Sequence, residues 1–362
     1  MAKNNDELKS LSEIFGDKVE FVVPDYQRGY SWERKLQLED LWEDLENMAN
    51  DRNHYTGMFT FRKIRPEVMT TGNKYEIVDG QQRMTTLIIL INELLKRIQQ
   101  PIDEYTDNRA YVTKYLYAKG YGFNVKYRFQ YSADDPSDIY FKTQILGQTS
   151  ANAYTQPNTS LYIKNLSEAK AFFEEKLNGL SQEALTDLFL KVTERLKFNE
   201  YMIDDINDVY VTFETMNNRG KSLSILELLK NRLIYLSSLY ADLKSDDVDA
   251  DLAAGAAKDL RDTINNTWKT IYIFLGKSTS KKLSDDAFLR DHWMMYFKYD
   301  RKTSMPFKDE LLSKTFTAKR LIKKELTIEA IKTYVDSLRE SVVAWFNINC
   351  PQESDINTVE KI

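Results

Sequence analysis

KYEIVDGQQRMTTLIILINELLKRI, residues 74–98, is the stretch that decides how this chain folds. It reads as a short buried strand, a turn at Asp79-Gly80, and a strongly apolar helix whose first turn carries Gln81, Gln82 and Arg83. A helix N-terminus presents unsatisfied N–H groups and the positive end of the macrodipole, which suits an anion. An arginine there adds a planar fork matched to phosphate oxygens. A phosphate site is one reading of the turn. The other is an ordinary strand-to-helix connection, with Asp79 as N-cap and the Gln and Arg side chains solvated.

Working outward on the N-terminal side, HYTGMFTFRKI (54–64) alternates as a strand, with Gly57 allowing close backbone approach. PEVMTTGN (66–73) makes a turn, so a hairpin delivers the Asp-Gly corner. His54, at the start of the first hairpin strand, reads either as a ligand contact or as a structural edge residue. Farther upstream, Leu8 to Phe15 reads as a short helix and VEFVVP as a strand ended by Pro24. In DYQRGYSWERK (25–35), Tyr26, Gln27, Arg28, Tyr30 and Trp32 crowd polar groups among aromatic rings. Such a set stacks a base and holds a phosphate, or packs its rings into the core. Residues 35–49 place Leu38, Leu41, Trp42, Leu45 and Met48 on one helical face, which is core.

On the C-terminal side, residues 101–160 hold one alternating run, VKYRFQY, one short helix, DIYFKTQIL, and the loop GQTSANAYTQPNTS. Helices are expected at 160–178 and 181–196, followed by the strand FNEYMIDD. VYVTFETMNNRGKSLSILELLKNRLIYL (209–236) reads as a helix ending at Asn217-Asn218-Arg219-Gly220, then a second helix opened by a Ser224–Glu227 capping box. Its GKS is not a P-loop, because Thr215 stands where the first glycine is required; the GKS at 276–278 fails likewise, with Ile271 there. Asn217, Asn218 and Arg219, with Glu214 a turn earlier, either complete a polar pocket or simply cap the helix. Beyond residue 236 the pattern is helical, near 258–275, 285–298, 305–323 and 327–346. DDAFLRDHWMMYF combines Arg290, His292 and Trp293, but its apolar spacing is that of a packed helix.

With 362 residues and 42% apolar content, the chain can build two domains with a sizeable core. No apolar run reaches the ~18 residues of a membrane span and MAKNNDELKS lacks a signal-peptide core, so a cytoplasmic protein with no membrane partner is expected. One cysteine and two histidines exclude an internal disulfide and leave too few soft ligands for structural zinc. Any metal would be a hard cation held by oxygens. The net charge of -5 argues against a generally basic nucleic-acid binder. The charge is uneven, however: residues 62–128 carry 12 Lys/Arg against 7 Asp/Glu, and 276–332 carry 14 against 8.

Taken in order, VPDYQRGYSW, HYTGMF, YEIVDGQQRMTTL and FETMNNRGKSLSILELLKN resemble the N-terminal domain of GmrSD-type, modification-dependent (type IV) restriction systems. The resemblance covers roughly residues 10–300. It implies an α+β fold: a ParB/sulfiredoxin-like domain with a small mixed sheet over 1–235, holding a helical insertion, then a mostly helical domain over 236–362. It implies that Asp79, Gly80, Gln81, Gln82 and Arg83 bind the phosphates of a nucleoside triphosphate with Mg²⁺ and hydrolyse it. It also implies that Tyr26–Arg28 and the segment containing Phe213, Asn217, Gly220 and Leu223 line the same site. Within that frame, Arg83 and the helix amides hold the β/γ-phosphates. Asp79, with Glu214 or Asn217, holds Mg²⁺; Gln81 or Gln82 orients the attacking water; and Tyr26, Tyr30 or Trp32 stacks on the base. The partners implied are modified phage DNA and an HNH nuclease domain or subunit, with a homodimer left open. No histidine follows residue 300, so an HNH centre is not expected in this chain, whether it is a fragment or one of two subunits. The alternative function is a non-enzymatic ParB-like module that binds DNA or a partner, with nucleotide as a switch.

Overall fold

A computed structural model describes residues 8–16, 18–49, 52–64, 72–119, 125–132, 136–148, 160–204, 223–243, 250–300 and 306–353. The chain divides into two compact units. The first comprises residues 1–25, 29–155 and 162–209, the second 26–28, 156–161 and 210–362. The sheet and the Asp-Gly turn belong to the first.

That unit is built on a six-stranded sheet from β1 (Lys9–Ser10), β2 (Val19–Val23), β3 (His54–Ile64), β4 (Asn73–Asp79), β7 (Phe129–Tyr131) and β8 (Leu196–Ile203), in the order β1-β8-β3-β4-β2-β7. A two-stranded ribbon pairs β5 (Tyr117–Lys119) with β6 (Val125–Tyr127). The expected hairpin is present: β3 runs antiparallel to β4, with Arg62 opposite Glu76, and their side chains form an ion pair in which Arg62 Nε donates to Glu76 Oε2 over 2.9 Å. β4 is also parallel to β2, and β3 to β8, so the sheet is mixed and β4 is an interior strand. The expectation of an α+β fold with a small mixed sheet is met.

α1 (Leu11–Ile14) opens with Ser10 and Glu13 in a reciprocal capping box. In α2 (Glu39–Asn47) and its flanks, Leu38, Leu41, Trp42, Leu45 and Met48 are all buried, as their spacing requires. α3 (Gln81–Arg97) is different in kind: every residue from Leu87 to Ile91 is fully buried, so this helix is apolar all round and forms the centre of the core. Each such Leu or Ile contributes about 1.5–3 kcal/mol of transfer free energy. In its last turn Lys96 and Arg97 meet the negative end of the dipole and both pair with the buried Glu93.

Three local expectations are corrected. VKYRFQY is not one strand: it breaks at Arg128, so β6 pairs with β5 while β7 joins the main sheet beside β2. The break is held by Arg128, whose N–H donates to the Leu116 carbonyl (2.9 Å) and whose Nε donates to the Thr113 carbonyl (2.8 Å). The 101–160 region also contains an unforeseen helix, α4 (Asn108–Tyr115), capped by Asp107, which accepts from the Arg109 N–H. Among the described residues of this unit, α5 (Pro136–Tyr140), α6 (Leu161–Lys176) and α7 (Gln182–Leu190) are the further α-helices.

The second unit is helical: α8 (Ile225–Leu243), α9 (Ala250–Lys277), α10 (Asp285–Tyr296) and α11 (Ile328–Asn349), around buried residues such as Leu229, Leu233, Ile264, Trp268, Leu289 and Leu338. The helix expected over 305–323 is broken. A turn at Phe307–Asp309 runs into a π-helical segment, Glu310–Thr315, and a new helix begins at Ala318. The cause is Thr317, which is extended (ψ 144) and caps the new helix by accepting from the Arg320 N–H.

Candidate functional site

Gly80, not Asp79, is the N-cap of α3. It is left-handed at φ 91 and supplies no side-chain cap, which corrects the expectation that Asp79 would fill that role. A Cβ at Gly80 would lie 2.5 Å from the Phe59 ring, so packing excludes any side chain there. The first turn of α3 therefore begins without the hydroxyl or carboxylate that caps α1, α4 and α7.

Arg83, half-buried on that turn, reaches back across β3. Its Nη1 donates to the Met58 carbonyl over 3.1 Å, and its Cζ stands 5.8 Å from the Phe59 ring centroid, a cation–π arrangement. The glycine two residues before Phe59 makes room for it. Gly57 is at φ 123, beside a bulge in the β3–β8 register, and a Cβ there would sit 3.0 Å from Arg83 Nη2. Close approach at Gly57 was expected from the sequence; what approaches is the guanidinium. Burial holds the Arg83 pKa below its ordinary value and outweighs the opposing pull of Asp79 and Tyr55. No carboxylate among the described residues forms an ion pair with it. The result is a fixed cation, partly stripped of water, with a carbonyl and a π face as its close partners.

Gln82 is placed otherwise. Its Nε2 donates to the Gly29 carbonyl over 3.0 Å and its Oε1 accepts the Ser31 N–H over 2.7 Å, so both ends of this buried amide hold the 29–31 loop against α3. Of the two glutamines expected to orient water, Gln82 is a clamp. Asn165 Nδ2 donates to the Tyr30 carbonyl (3.0 Å) from the α6 side of the same loop. Tyr30, expected as a stacking ring, is fully buried with its hydroxyl 2.8 Å from Thr86 Oγ1, and burial raises its pKa. It is core, as is most of Trp32. The α3 hydroxyls of Thr85 and Thr86 donate to the Gln81 and Gln82 carbonyls.

His54, at the start of β3, has its Nε2 3.6 Å from Asp44 Oδ2. Tyr26, Gln27 and Arg28 belong to the second unit and are all buried. Arg28 Nη1 is 3.4 Å from Glu227 Oε2, a buried ion pair at the start of α8. The Ser224–Glu227 capping box forms as expected: Glu227 N–H donates to Ser224 Oγ (3.2 Å) and Ser224 N–H to Glu227 Oε2 (2.9 Å). Sequence reasoning missed Asp286, whose Oδ1 accepts the N–H groups of Ile225 (2.7 Å) and Leu226 (3.2 Å) from α10. It also missed Asn231, fully buried in α8 with neither amide atom hydrogen-bonded among the described residues. Nothing local announces either, since one needs a partner some sixty residues away and the other lies on an apolar face. Phe213, Glu214, Asn217, Asn218, Arg219 and Gly220 lie outside the described residues.

The described residues contain no group of three His, Cys, Asp or Glu able to hold a metal ion. A Mg²⁺ that keeps most of its waters needs only one or two carboxylates plus substrate phosphates, and among the described residues Asp79 is the candidate that could supply one. No described helix is long and apolar enough to cross a membrane.

A comparison with curated proteins finds no match. A comparison with protein families does: residues 11–234 match the GmrSD restriction endonuclease, N-terminal domain. That span begins at α1, takes in β3, the Gly57 approach and the Gly80-to-Arg83 turn, ends within α8, and covers more than half of the chain, which therefore belongs to this family.

Proposed function

We propose that the Asp79-to-Arg83 turn binds the phosphates of a nucleoside triphosphate, and that binding and hydrolysis there regulate cleavage of modified phage DNA by an HNH nuclease domain or subunit. Family membership makes the chain a component of a restriction system; the nucleotide reading goes beyond that and stands on one observation. The Arg83 guanidinium is held by the Met58 carbonyl and the Phe59 ring, with no carboxylate ion-paired to it among the described residues, at the first turn of a helix that has no side-chain cap. Desolvating a cation is costly unless an anion offsets it. Arginine cannot deprotonate to escape the cost. A polyphosphate supplies that anion, and the α3 amides share it. Asp79 would carry the Mg²⁺ that arrives with the phosphates, neutralising charge on the γ-phosphoryl group. Gln81 would be the glutamine that orients water, since the Gln82 amide is engaged at both ends.

That engagement also favours a second reading, in which nucleotide is a switch on a ParB-like binding module and turnover is slow or absent. Titration of the whole chain with a non-hydrolysable triphosphate and Mg²⁺, paired with phosphate release from ATP and GTP, separates the two. Loss of a charge-assisted bond is worth about 1.5–3 kcal/mol, so Arg83→Ala weakens binding roughly 10- to 100-fold. Tight binding without phosphate release assigns the switch. Arg83→Ala and Asp79→Ala proteins that bind and turn over nucleotide like the wild type exclude both.

A further inference from the structure

The helical unit contains a cavity of about 470 Å³ that the nucleotide reading does not use. Its size is that of small-molecule sites. The wall is aromatic: Tyr296 and Phe297 at the end of α10, Phe316 at the break before Thr317, and Tyr334 on α11. Tyr334 is the hub, with ring centroids 4.9 Å from Tyr296, 5.9 Å from Phe297 and 4.8 Å from Phe316. It is 1% exposed, yet its hydroxyl has no hydrogen-bond partner among the described residues. A buried hydroxyl without a partner costs about 1–3 kcal/mol, a cost that a ligand with a polar edge would offset if its entry brought it within reach of Tyr334. Tyr296, by contrast, is 41% exposed and offers ring surface to a flat group.

The rim is polar. Lys314 pairs with Glu310 over 3.1 Å and Arg320 with Glu325 over 3.7 Å, so its charges balance and favour a neutral occupant. Beyond the rim they do not balance. Residues 308–324 carry six Lys/Arg against two Asp/Glu. Lys308, Lys319, Lys323 and Lys324 are exposed and make no ion pair among the described residues. A neutral, flat, hydrogen-bonding group attached to a polyanion satisfies all of these features together. We propose that this cavity receives a nucleobase swung out of a DNA strand whose phosphates lie along Lys308, Lys319, Lys323 and Lys324. Aromatic rings stack any base, and the Tyr334 hydroxyl meets the base's polar edge. This rests on the reading that the chain acts on DNA, and adds where and how a base is held.

The test is fluorescence anisotropy of the whole chain on two labelled duplexes, one fully paired and one with a single unpaired base, at several salt concentrations. Extruding an unpaired base avoids most of the unpairing penalty, so the wild type binds the second duplex at least about tenfold more tightly. Tyr296→Ala abolishes that preference, and Tyr334→Phe, which deletes only an oxygen from a ring that stays packed, reduces it several-fold. Joint replacement of Lys319, Lys323 and Lys324 by Gln weakens both duplexes alike and flattens the log–log salt slope by about 2–3. A wild type that binds both duplexes equally overturns the cavity assignment while leaving DNA action standing, and so does a preference that survives both tyrosine variants. Failure to bind either duplex overturns both. Triphosphate binding, measured on the same variants, stays at the wild-type level; its absence in the wild type with the duplex preference intact sinks only the 79–83 site.

Discussion

Gln82 provides the sharpest test of how the central turn is built. Its replacement by alanine removes the acceptor for the Ser31 N–H and the donor to the Gly29 carbonyl, leaving two buried backbone groups unpaired. Each costs about 1–3 kcal/mol, with the carbonyl nearer the low end because it keeps a second lone pair, so the sum is about 3 kcal/mol. Glutamate at the same position behaves differently. One oxygen still accepts from Ser31, while the other faces the Gly29 carbonyl, 3.0 Å from the atom it replaces. Only the protonated acid can donate there, so the introduced carboxyl's pKa in the folded state is raised above the ordinary value near 4.3. A raised folded pKa means stability that is complete below the unfolded pKa and is lost as pH rises through the folded one. Gln82→Glu should therefore match the wild type near pH 4 and fall below it by pH 8, whereas Gln82→Ala is weak at both. Urea unfolding at the two pH values, with amide exchange at Ser31 as the local probe, reads this directly. A Gln82→Ala protein within about 0.5 kcal/mol of the wild type, with Ser31 still protected, would refute the clamp.

Two further outcomes follow from the same physical rules. Gly57→Ala forces a side chain onto a residue at φ 123 and sets its Cβ 3.0–3.2 Å from the Arg83 guanidinium; the strain costs about 1–3 kcal/mol, and triphosphate affinity falls with it, both seen by thermal melting with and without nucleotide. His292, buried and neutral, has its pKa pushed down by burial from 6.5 to about 4. The unfolded chain thus binds more protons between those values, and stability is lost as pH falls through the window, about 2 kcal/mol between pH 7 and 5; His292→Phe should remove that part of the pH dependence of the urea midpoint.

What could be read from the chain, and what could not, divides by the distance over which each interaction acts. The β3–β4 hairpin, the Asp-Gly corner, the stripe from Leu38 to Met48 and the Ser224–Glu227 box all rest on partners within a turn or a hairpin, where residue type and spacing carry the information. The division of labour in DGQQR was hidden. Gln82 is spent on a loop some fifty residues upstream and Arg83 on the Met58 carbonyl, and no local pattern distinguishes an amide that clamps from one that catalyses. The aromatic loop misled for a related reason: a tyrosine is as well suited to a core with one hydroxyl partner as to a base, and Tyr30 found Thr86. Likewise, VKYRFQY alternates correctly throughout, and only the Thr113 and Leu116 carbonyls make Arg128 the point where the chain leaves one sheet for another.

Two helices that carry family residues also begin under opposite electrostatic conditions, and the contrast bears on which of them can take a ligand. At α8 the first amides are already answered: Asp286 accepts from Ile225 and Leu226, Ser224 from Glu227, and Glu227 is itself paired with Arg28. Burial and the nearby Asp285 raise the Asp286 pKa against the opposing pull of those two amides, so a second anion there would add to an existing repulsion. At α3 the cap is a glycine that packing against Phe59 forbids from bearing a side chain, and the first helical turn carries the Arg83 cation, with Asp79 one residue before the cap. The same dipole that is quenched by the protein's own carboxylate in one helix is, in the other, reinforced by Arg83. An incoming polyanion would be repelled at the first and attracted at the second, which is why the nucleotide reading is placed at residues 79–83 and not at the GKS-bearing segment that precedes α8.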